Sequence, residues 1–145
     1  MHDLVLAILH HLLFLGLIVM LASELALLRT PEPPLKRLAG LDAGYGAAAL
    51  LIVLVGVGRV MGGKGWAFYE ANPFFWAKIA TFALIGLISI RPTLLILKWR
   101  KAAKRVPGYV PPQGELTDAR RAIGLEILLL IPLLAFAAAM ARWPL

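Results

Sequence analysis

Two adjacent histidines, His10 and His11, lie inside a long apolar stretch near the start of the chain. An imidazole in such a setting ligates haem iron, holds a copper ion, or hydrogen-bonds between helices. Two cations, Arg59 and Lys78, fall at a similar depth in later apolar stretches, with Asp3 and Glu70 only at the rim of that layer. Buried cations need a counter-charge, so an anion or a metal is expected to complete the group. A tetrapyrrole meets this requirement, with one imidazole axial to the iron and Arg59 and Lys78 on the propionates. His10 is two heptads from Glu24 and shares a helix face with it, whereas His11 points about 100° away, which favours His10 as the inward residue.

The same layer contains Met61 and Met140 at the ends of their stretches. Thioethers serve as axial haem ligands, and together with His2, His10 and His11 they also suit copper. No histidine occurs in the three later stretches. This excludes a bis-histidine haem between facing helices of one chain and leaves a five-coordinate haem, a His/Met pair, or a ligand from a second copy. A second layer lies deeper, with Glu24, Asp42, Arg91 and Glu126. Arg91 paired with Glu24 or Glu126 would pin three helices together, a structural role, and a proton path is the functional alternative.

Four elements must position these groups. Of the 145 residues, 61% are hydrophobic and 16% charged, against roughly 45–50% and about 25% in soluble domains. The surroundings of such a chain are lipid, and the fold class is all-α: a four-helix transmembrane bundle in a single integral membrane domain, residues 1–145. Spans are expected at about 3–28, 41–62, 74–97 and 120–141, since a crossing needs about 20 apolar residues and a helix satisfies its own backbone. Pro31, Pro33 and Pro34 end the first span, and Gly62-Gly63-Lys64-Gly65 ends the second. The Pro/Gly segment 106–114 is expected to be non-helical, with Thr117 capping the fourth span. Pro92 and Pro132 are expected to free carbonyls inside the third and fourth spans. Asp42, Ala49, Gly56 and Gly63 lay small side chains along one face of the second, which permits close packing or a flat ligand.

The net charge of +7 first suggests nucleic acid, but its distribution argues against that partner. Arg29, Lys36 and Arg37 follow the first span, and Lys98, Arg100, Lys101, Lys104, Arg105, Arg120 and Arg121 follow the third. The positive-inside rule then puts both termini on the periplasmic side of a bacterial inner membrane, with an aromatic belt from Trp66 to Trp76 and at Trp143. Segment 98–105 is expected to lie along an anionic leaflet. The first span lacks a basic n-region and is expected to remain as an uncleaved anchor. With no cysteine, disulfides and thiolate metal sites are excluded.

Four spans in 145 residues, a span-one histidine followed by Arg29, and Phe74-Phe75-Trp76-Ala77-Lys78 opening the third span resemble the HemJ-type protoporphyrinogen oxidases. The chain is also similar to a broader set of small bacterial membrane proteins that includes copper-resistance CopD, and as a whole to uncharacterised four-span families. The HemJ resemblance implies haem b and an oxidoreductase in which His10 or His11, and Lys78, are the catalytic residues. Here the histidine is doubled and Glu24 follows it. Three readings result: a haem b redox protein acting on a porphyrinogen or a quinone, a periplasm-facing copper-handling protein, and a non-enzymatic accessory subunit of a larger complex. A homo-oligomer is compatible with each.

Overall fold

Proline and glycine divide the chain into helices. In the computed structural model, residues 2–144 are described, with side chains from Leu4 onward; the side chains of His2 and Asp3 lie outside the described residues. The helices are α1 (His2–Leu28), α2 (Leu35–Gly62), α3 (Trp66–Glu70), α4 (Pro73–Ala103) and α5 (Gln113–Arg142), and there is no strand among the described residues. The four long ones are apolar enough to cross a membrane, and their outward faces carry leucines, isoleucines and valines such as Leu12, Leu54, Leu87 and Ile131. These are the surfaces that lipid covers.

The helices pack as two hairpins, α1 with α2 and α4 with α5, closed into a four-cornered bundle by the neighbours α1–α5 and α2–α4. Leu17 and Leu21 of α1, Ile52 of α2, Ile85 of α4, and Ile123 and Leu130 of α5 form the middle of the shared core. Close approach occurs at Gly44, where an added Cβ would stand 2.8 Å from the Met20 sulfur. The start of α1 and the end of α5 lie at one end of the bundle, and the basic connections lie at the other.

That basic end extends further as helix than hydropathy predicts. Helix α2 starts at Leu35 rather than 41, because Leu38 and Ala39 turn inward while Lys36 and Arg37 remain exposed. Helix α4 runs on to Ala103, and the buried Trp99 anchors its last turns. The expected Thr117 cap is replaced by a start at Gln113, with Pro112 as N-cap. Proline is compatible with a helix start because the first-turn N–H groups have no partner there. The Leu116 N–H bonds the Pro112 carbonyl at 3.0 Å, and Leu116 and Ala119 are fully buried. Residues 106–112 are non-helical, as expected, and apolar anchoring makes only Gln113 and Gly114 of that segment helical.

One carboxylate fastens this end. Glu115 accepts from Trp99 Nε1 at 2.7 Å and pairs with Lys98, and Arg120 Nε donates to the Leu28 carbonyl at 2.7 Å at the end of α1. Glu115→Ala strands a buried indole N–H, and a loss of about 1–3 kcal/mol is expected. Thermal unfolding in detergent should show it, with Glu115→Gln retaining most of the stability because its amide oxygen still accepts.

Candidate functional site

His10 and His11 are consecutive on α1 and have different surroundings. His11 is exposed, and its Nδ1 donates to the Ala7 carbonyl of its own helix at 2.6 Å. His10 turns toward α2, where a Cβ on Gly56 would stand 3.7 Å from its Cε1. Its Nδ1 is buried and makes no hydrogen bond. The two rings stand edge-on with centroids 6.3 Å apart. His10 therefore occupies the inward face that the heptad spacing from Glu24 indicates.

A cavity of about 520 Å³ opens between the helices at this level, within the usual range of about 300–1,000 Å³ for small-molecule sites. His10 and His11 from α1, Arg59 and Met61 from α2, Lys78 from α4 and Met140 from α5 all line it. The structure thus brings these six residues to one cavity, whereas Glu70 does not line it and the side chains of His2 and Asp3 lie outside the described residues. Lys78 and Arg59 both act electrostatically on His10, and among the described residues Lys78 pairs with no carboxylate. Met61 is 80% exposed and stands at the rim, whereas Met140 is half-buried. The rest of the wall is apolar, with Phe14, Phe82 and Leu133 among its residues.

Helix α3 lies at the outer end, against α2 and α4. Gly65, at φ 81°, turns the chain through a left-handed conformation into this five-residue helix. Trp66 and Tyr69 reach the cavity and meet Phe75 of α4 at centroid distances of 6.2 and 5.5 Å. Trp76 Nε1 donates to the Glu70 carbonyl at 3.0 Å. Much of the aromatic belt expected at the interface is therefore packed against itself as a cover.

Asn72 holds the two walls that carry Lys78 and Met140. It is fully buried, caps α4 by accepting from the Phe74 N–H at 3.0 Å, and donates from Nδ2 to the Met140 carbonyl at 3.0 Å. Asn72→Ala is expected to cost about 1–2 kcal/mol, the worth of such a cap plus one hydrogen bond, and a lowered thermal midpoint in detergent would register it.

The deeper polar layer differs in part from expectation. Glu24, Asp42 and Glu126 are all buried and lie within electrostatic reach of one another. Arg91 pairs instead with Asp118 at 2.7 Å, both side chains being well exposed. The expected Arg91–Glu24 or Arg91–Glu126 pairing is overturned because Pro92 takes the inward position on α4 and turns its neighbour Arg91 outward. Thr93 fills the polar role on that helix, donating to Asp42 Oδ1 at 2.8 Å. Among the described residues no three His, Cys, Asp or Glu side chains gather in an arrangement that could hold a metal ion.

Asn72, Tyr45 and Phe82 escaped the sequence reading. Asn72 carried a readable signal, since Asn before Pro at the start of an apolar run marks a helix cap. Tyr45 and Phe82 carried none, because an aromatic residue in an apolar helix is ordinarily core.

No curated protein and no solved structure matches the chain. A family match does extend over residues 2–143, and the chain belongs to the family described as predicted membrane protein (DUF2214).

Proposed function

We propose that this chain is a multi-pass inner-membrane protein, with both termini periplasmic, that binds haem b in the cavity beneath α3 and uses it in redox chemistry. The observation that carries the reading is the meeting of His10, Lys78, Arg59 and Met140 in one largely apolar cavity, with the His10 Nδ1 buried and without a hydrogen bond. The residues fit a tetrapyrrole. Gly56 leaves space beside the imidazole that a larger side chain would fill, and aromatic and aliphatic side chains supply the walls that a flat macrocycle requires.

His10 would ligate the haem iron, and Lys78 and Arg59 would hold the propionates. Met140 lines the same cavity from α5, and a thioether bound to the iron would raise its potential. When bound, haem b supplies one-electron exchange, which suits oxidation of a porphyrinogen or electron transfer to a quinone. The protein supplies an apolar enclosure, two cations and the aromatic cover that keeps water from the outer end. His11, exposed and bonded to its own helix, has no part in ligation.

An optical spectrum of detergent-purified protein from haem-replete cells tests this. A Soret band at near-stoichiometric intensity is expected. A colourless, haem-free preparation that remains folded would overturn the proposal.

A further inference from the structure

Beyond the outer cavity, the inner half of the bundle contains a second polar feature that haem binding does not use. Glu24 on α1, Asp42 on α2 and Glu126 on α5 are at most 9% exposed, and Glu24 and Glu126 are almost completely enclosed. Glu24 Oε1 is buried without a hydrogen bond, and both Glu126 carboxyl oxygens are buried beside Tyr45. Tyr45 of α2 faces both Glu126 and Ser89 of α4. Among the described residues no basic side chain pairs with these three acids. Arg91 and Asp118 pair with each other at the surface, Lys98 and Glu115 pair near the basic end, and Arg120 is bound to the Leu28 carbonyl. A buried carboxyl group without a cation is neutral only when it carries a proton.

A cavity of about 260 Å³ lies against this layer between α2 and α4, lined by Asp42, Tyr45, Ser89 and Thr93. At about 30 Å³ per molecule it has room for several waters, and its wall provides the polar partners that water needs. Phe82 lines both this cavity and the outer one. The Phe82 ring is thus a wall shared by the cavity that Asp42 lines and the chamber of His10 and Lys78.

We infer that Glu24, Asp42 and Glu126 form a proton-holding site that exchanges protons with the outer cavity past Phe82. A carboxyl O–H bond forms as a proton arrives from water and breaks as it leaves, and no electron changes hands. Three acids that do not gather around a common ion position favour a proton over a metal cation. The site requires no haem, so its test uses cofactor-free protein and its failure is separate from that of the haem proposal.

Infrared difference spectroscopy on the full chain in lipid nanodiscs reads the site directly. A protonated-carboxyl C=O stretch is expected, it should shift down on transfer to D2O, and part of it should disappear in Glu24→Gln and in Glu126→Gln. Phe82→Ala should speed the D2O shift. The D2O measurement on the unaltered chain stands even if a variant fails to fold. Absence of any such band from acid to alkaline buffer, a band unchanged by both glutamine variants, or a band abolished by sodium or potassium ions would each overturn the inference, the last in favour of a cation site.

Discussion

His10→Ala is expected to eliminate the Soret band of protein purified from haem-replete cells, and His11→Ala to leave it in place. The two residues are neighbours of the same type, so the contrast isolates position from chemistry. His10 lines the cavity beside Gly56 with its Nδ1 buried and free of hydrogen bonds. His11 is exposed and its Nδ1 is already bonded to the Ala7 carbonyl. Removing the proposed iron ligand should weaken haem binding at least about a hundredfold, or roughly 2.7 kcal/mol. Added imidazole should restore part of the band in His10→Ala, since the truncation leaves space where the ring stood. If His11→Ala loses the band while His10→Ala retains it, the assignment of the ligand is wrong.

The sequence made this site legible because ionisable residues are costly in lipid and therefore few. His10, His11, Arg59 and Lys78 stood out by type, and a rise of about 1.5 Å per residue placed them at one depth. Depth is only one coordinate, and Arg91 shows the consequence. Its level matches Glu24 and Glu126, but Pro92 takes the inward position and Arg91 meets Asp118 outside. An even apolar run leaves the inward face of a helix unmarked, because lipid and core accept the same side chains. Helix ends were misjudged for a related reason. Hydropathy detects the part of a helix in the membrane, whereas Leu38, Trp99 and Leu116 extend their helices past it by burying one face beneath charged neighbours. The short α3 and the Asn72 contact to Met140 depend on which helices meet, which no local pattern records.

Lys78→Gln is expected to weaken binding of haem with free propionates about tenfold to a hundredfold, the worth of one charge-assisted hydrogen bond of roughly 1.5–3 kcal/mol. Lys78 is half-buried on α4, lines the cavity and pairs with no carboxylate among the described residues. Arg59 lines the same chamber. A ligand carboxylate gains from such a cation more than it would in water, because the apolar wall lowers the local dielectric. The haem dimethyl ester separates this contribution from the fit of the ring. It should bind the unaltered protein more weakly than free haem, and Lys78→Gln should leave ester binding nearly unchanged. Lys78→Arg preserves the charge but replaces a compact ammonium with a planar fork, so it should retain free-haem binding in part. Titrations followed at the Soret band give all of these affinities. Equal losses for acid and ester in Lys78→Gln would mean that the lysine shapes the cavity and does not recognise propionate, and ligand selection would then fall to Arg59 alone.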